Sequence, residues 1–122
     1  MDDVTNIRIT TEIWVAAYRT MLEKQGIPIY INKTGDKTAG AIMVKVSTMD
    51  GKATVYHRVL DPRGRRCWVQ FDSGTERQMN LMIENQCLFD PDLWILEIED
   101  PKGRHHLDQF EVPCWSHPKT QP

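Results

Sequence analysis

Apolar and polar residues alternate most regularly between Leu93 and Asp100, where Trp94, Leu96 and Ile98 fall on one side of an extended chain and Leu93, Ile95, Glu97 and Glu99 on the other. The second side begins apolar and ends charged. That pattern predicts a strand covered on both faces where it starts and emerging into water where it finishes. Asp90-Pro91 and Asp100-Pro101 bound it, because proline lacks the donor that a sheet ladder needs and restrains the residue before it.

The same reading continues along the chain. Ile13, Trp14, Ala17, Tyr18, Met21 and Leu22 recur at helical spacing, after Thr10 or Thr11 as a cap and before Gly26 as a stop. Alternation then predicts four strands. Ile27, Ile29 and Ile31 mark the first, and Ile42, Val44 and Val46 mark the second within 39–47. The third covers 54–60, beyond the hairpin signal Asp50-Gly51. The fourth carries Cys67, Val69 and Phe71 on one side and Trp68, Gln70 and Asp72 on the other, after a turn at 61–65. Ser73 with Glu76 three residues on predicts a capping box for a second helix with Met79, Met82, Ile83 and Cys87 buried. The order α-β-β-β-β-α-β is an α+β fold: a mostly antiparallel sheet of four to five strands with two helices packed against it. The domain is expected over 7–108, followed by a polar tail at 109–122 containing Pro113, Pro118 and Pro122.

Composition narrows the class. A chain of 122 residues, 40% hydrophobic and 26% charged, has room for one ordinary core. A net charge of −2 offers no global positive field to nucleic acid or acidic lipid. No apolar run approaches the roughly 20 residues that span a bilayer. The acidic start Met-Asp-Asp-Val-Thr-Asn gives no expectation of a secretory signal. Three scattered cysteines, an odd number, predict reduced thiols and a cytoplasmic location.

Candidate chemistry is sparse. Pro91-Asp92 followed by Asp100-Pro101-Lys102 is similar to a metal-dependent nuclease signature. One intervening strand would hold those acids about 26 Å apart, too far to share an ion. Glu97 and Glu99 could pair as acid and base, but nothing nearby completes a site. Cys114 and His117 have a spacing that can grip zinc, yet no second ligand pair is visible. His105 and His106, as neighbours, point apart if extended. No cofactor is therefore expected. Arg63, Arg65 and Arg66 beside Trp68 form a basic turn that could hold phosphates while the indole stacks on a base. The net charge disfavours that nucleic-acid role.

Three stretches carry a family resemblance: Ile13-Trp14-Val15, Ala39-Gly40-Ala41-Ile42 and, above all, Phe89-Asp90-Pro91-Asp92-Leu93-Trp94-Ile95-Leu96-Glu97-Ile98-Glu99-Asp100. On them the chain resembles, from about Ile7 to Asp108, a small alphaproteobacterial family classified only as a domain of unknown function. The resemblance implies a bacterial cytoplasmic protein and brings no activity, cofactor or catalytic residue.

Two functions from different classes follow. One is a non-catalytic module that binds an unidentified protein partner or forms a homodimer, with Phe110 and Trp115 as aromatics in a tail that has little core to join. The other is a small enzyme or ligand-binding domain using Asp90, Asp92, Glu97 or Glu99. It requires two of these carboxylates in one concave pocket. Nucleic-acid binding at Arg63–Arg66 stands third, and no membrane role is expected.

Overall fold

A computed structural model describes residues 9–110. Helix α1 (Thr11–Lys24) is followed by strands β1 (Ile29–Lys33), β2 (Ile42–Ser47), β3 (Lys52–Leu60) and β4 (Arg66–Thr75). Helix α2 (Glu76–Phe89), strand β5 (Trp94–Glu99) and a 3-10 turn (Leu107–Gln109) complete the order. The strands form one sheet, β1-β5-β2-β3-β4, antiparallel except where β5 runs parallel to β2. This is the expected α+β fold.

The last strand sits in the interior of the sheet. Trp94, Leu96 and Ile98 align with Ile42, Val44 and Val46 of β2, and these six residues meet Trp14, Val15, Tyr18 and Leu22 of α1 in one core. Ile95 and Met43 point the other way, onto Met79 and Ile83 of α2. The helices therefore cover opposite faces, and every residue of β2 is buried. An interior strand with both faces covered needs apolar residues in nearly every position, which is what Ile-Met-Val and Trp-Ile-Leu supply. The far end of β5 is less wet than its charges suggest. Glu97 and Glu99 are half-buried, and Asp100 is buried beneath the 104–106 segment.

Both helices start from a threonine. Thr10 caps α1 by accepting from the Ile13 amide. Thr75 and Gln78 form the capping box of α2, two residues beyond the expected Ser73 and Glu76. The physical reason is pairing: β4 stays bonded to β3 as far as Thr75, opposite Lys52, so the helix cannot begin earlier. In α1 the buried line is Thr11, Trp14, Val15, Tyr18 and Leu22, whereas Ile13 and Ala17 face outward. Both lines have helical spacing, and burying the indole of Trp14 and the phenol ring of Tyr18 removes more apolar area from water.

The 34–41 loop closes over the start of β5. The Asp36 amide donates to the Asp92 carbonyl at 2.9 Å, and the Trp94 indole Nε1 donates to the Asp36 carbonyl at 2.7 Å. A Cβ on Gly35 or Gly40 would collide with the Asp92 carbonyl oxygen, so the loop needs glycine at both positions.

Trp94 is 3% exposed, packed in the α1 core and bonded to the loop. Trp94→Ala is expected to cost about 3–5 kcal/mol, read as the shift in a urea-unfolding midpoint. An unchanged midpoint would remove β5 from the core.

Candidate functional site

Strand β2 places one charged residue inside the sheet. Lys45 lies on the α2 face between Val55 of β3 and Glu97 of β5, with a side chain only 4% exposed. Its ammonium lies 2.6 Å from Glu76 Oε1 and 3.6 Å from Glu97 Oε2, and it donates to Asn80 Oδ1 at 2.9 Å. Glu76 and Asn80 are one turn apart on α2, so a single helical face supplies two acceptors. Three partners match the three donors of an ammonium group, which is the condition for burying one. Ser47 Oγ also donates to Glu76. Burial pushes the Glu76 carboxyl up, but hydrogen bonds from Lys45 and Ser47 outweigh it and hold the group below its usual range. Asn32 Nδ2 donates to the other Glu97 oxygen at 2.8 Å.

Beside this network, between α2 and the β1–β5 side of the sheet, lies an open groove of about 680 Å³. Lys45, Asn32 and Asn80 make its polar part, and Ile83, Ile95 and Leu88 its apolar part. The Lys33 ammonium closes one end by donating to the carbonyls of Pro91 and Leu93. Cys87 on the rim keeps a free thiol. A second hollow of about 350 Å³ flanks the other side of α2, lined by Met43, His57, Phe71, Gln86, Asp90 and Leu93 among others. The His57 ring meets the Phe71 ring edge-on at 4.7 Å, and burial lowers its pKa. Between the two hollows, the last turn of α2 leaves Leu88 81% and Phe89 86% exposed.

A second buried cluster sits under the far end of β5. Asp100 accepts from Arg104 Nε at 2.9 Å and from the Lys102 amide at 2.9 Å. His106 Nε2 lies 3.0 Å from the same carboxylate. Gln109 Nε2 donates to His106 Nδ1 at 3.0 Å, which leaves the Nε2–H to donate to Asp100. Burial opposes the Asp100 charge, but its three donors prevail and bring its pKa to about 2.

The residues singled out from sequence do not converge. Asp90 caps the end of α2, and its carboxylate accepts from the Asp92 amide at 3.0 Å. Asp92 is exposed. Glu97 belongs to the lysine network, and Glu99 accepts from Tyr30 Oη at 3.2 Å. In the basic turn, Arg65 is bonded to Asp61 at 3.0 Å, the Arg63 amide donates to the same carboxylate, and Arg66 lines the smaller hollow. Trp68 is buried under Arg58, whose guanidinium stands 5.4 Å from the rings of both Trp14 and Trp68, so its indole is not open to a base.

Phe110 corrects the expectation of an exposed tail aromatic. The buried Leu107 and the 3-10 turn carry its ring onto Trp14 at 5.2 Å and Tyr18 at 5.9 Å. Trp115, Cys114 and His117 lie outside the described residues. Cys67 is buried in β4. Among the described residues, no three His, Cys, Asp or Glu side chains are placed to hold a metal ion, and no helix is long and apolar enough to cross a membrane.

Comparison with known proteins places this architecture. Residues 9–108 match the family model described as "Protein of unknown function (DUF1491)". The chain belongs to the DUF1491 family. A crystal structure of a DUF1491 protein from Caulobacter crescentus CB15 is 36% identical, with a TM-score of 0.74, over 80% of this chain and 94% of that one. The NMR structure of a DUF1491 protein from that organism gives 36% and 0.70 over 81% and 92%. The solution structure of protein Atu0922 from A. tumefaciens gives 25% and 0.65 over 76% and 86%. No curated protein matches the chain.

Two outcomes test these clusters. Lys45→Met keeps the aliphatic stem but leaves two half-buried carboxylates facing each other, at a cost of about 3 kcal/mol. Adding Glu76→Gln should recover part of that loss in urea unfolding. For Asp100, a folded pKa of about 2 against an ordinary 3.8 means stability present above the higher value and lost as pH falls through the lower. Asp100→Asn should flatten the fall of the unfolding midpoint across that window.

Proposed function

We propose that this DUF1491 protein is an interaction module that takes an apolar segment of a partner protein against the last turn of α2. The observation that carries it is the pair Leu88 and Phe89, adjacent and 81% and 86% exposed, with Leu88 lining the groove. Leu81, 52% exposed and two turns back on the line of Leu88, extends the apolar surface along the helix. Covering a large side chain of this kind is worth about 1.5–3 kcal/mol, and the groove beside it offers Ile83 and Ile95 as further contacts. Adjacent exposed apolar residues beside a concavity are the usual anchor of a protein interface.

The enzyme reading has less support. It required two of the acids at 90–100 in one pocket, and they are distributed instead among a helix end, the surface, the lysine network and a tyrosine hydrogen bond. The nucleic-acid reading loses its stacking platform with Trp68 in the core. A bacterial source is supported by the relatives from Caulobacter crescentus and A. tumefaciens. A cytoplasmic location belongs to the same reading, resting on the family resemblance and the scattered cysteines.

The test compares wild type with Leu88→Ser/Phe89→Ser as baits in the same lysate. The paired substitutions are expected to leave the melting temperature unchanged, because both side chains are exposed, and to lose a partner that wild type retains. Identical captured proteins for the two baits would refute the proposal.

A further inference from the structure

A different helix carries an inference beyond that reading. Helix α1 is apolar on two sides, and its own sheet covers only one. Opposite the buried line, Ile13, Ala16, Ala17, Thr20, Met21 and Lys24 line a shallow depression of about 590 Å³, with Ile13 55% exposed. Ile13, Ala17, Thr20 and Lys24 follow one another at steps of four, three and four, the spacing of a helix–helix seam. Glu12, Arg19 and Glu23 are off the seam.

We propose that a second copy of this chain packs its α1 on this face, antiparallel to the first. Charge decides the occupant and its direction. Glu12 lies in the first turn and Lys24 in the last. An antiparallel pair brings each Glu12 beside the Lys24 of the other copy, whereas a parallel pair would set like charges together. The opposed helix dipoles favour the same arrangement. With the twofold axis between Ala17 and Thr20, Ile13 meets the aliphatic stem of the second copy's Lys24, and Met21 meets its Ala16. The small side chains at the centre let the axes approach to about 8 Å. Glu12 is free to exchange partners, since its contact with Lys37 is 3.9 Å long and both side chains are exposed. A helix of this length spans about 21 Å. The contact is therefore smaller than a standard interface of about 1,600 Å², and the dimer forms and dissociates with concentration.

Sedimentation velocity on the full chain, from about 5 to 500 μM, reads this directly. Wild type should move from monomer to dimer across the range, and Ala17→Arg should remain monomeric with unchanged circular dichroism and melting temperature. Glu12→Lys or Lys24→Glu alone should weaken the dimer by about tenfold, as two attractions become repulsions, and Glu12→Lys/Lys24→Glu should restore it. Leu88→Ser/Phe89→Ser should leave dimerisation intact, which separates this proposal from the partner site on α2. A chain monomeric throughout, a dimer indifferent to Ala17→Arg, or a charge swap that restores nothing would each overturn it.

Discussion

The insertion of β5 between β1 and β2 is the constraint on which the molecule depends. Pairing antiparallel with β1 and parallel with β2, it supplies the central row of side chains for two cores. Trp94, Leu96 and Ile98 hold α1 on one face, while Ile95 and Leu93 hold α2 on the other. The loop over Asp92, the half-buried Glu97 and the buried Asp100 all take their positions from where this strand starts and stops. Hydrophobic burial on both faces also makes its register unforgiving. A slip of one residue would turn Glu97 and Glu99 into the α1 core.

Much of this architecture was legible in the sequence. Apolar patterning identified all five strands: β2 and the start of β5, covered on both faces, are apolar in nearly every position, and the other strands alternate. Where the reading failed, two patterns of equal spacing competed. Ile13-Ala17-Met21 and Trp14-Tyr18-Leu22 are both proper helical lines, and only the sheet decides which is buried. Ser73–Glu76 and Thr75–Gln78 both have the form of a capping box, and the hydrogen-bond partner of β4 decides between them. Phe110 seemed isolated because sequence carries no record of Trp14, nearly a hundred residues earlier, waiting beneath it.

The polar clusters were much harder to see. Lys45 interrupts the apolar run Met-Val-Lys-Val, and a lysine in a fully apolar strand is a signal that it is buried with partners. Its partners, however, come from β5 and from the first two turns of α2, and no local spacing relates them. Asp100 and His106 lie only six residues apart, but their contact depends on a left-handed residue, φ 61° at His106, that composition does not announce. Residues chosen for charge alone, such as Asp92 and Arg63, proved to be placed by turn geometry. The chain's polar chemistry is spent mainly on holding its layers together, and its least satisfied atoms are apolar.

The parallel pairing of β2 with β5 has a consequence for synthesis. Strands β2, β3 and β4 are joined by short turns and can zip together as they leave the ribosome. Strand β1, made earlier than any of them, has no neighbour until some sixty further residues have been added. Through that interval the inner edge of β2 stays open, displaying backbone donors and acceptors that another nascent chain could bind. Strand β5 is therefore the keystone of the sheet, and a truncation that removes it leaves two pieces with nothing between them.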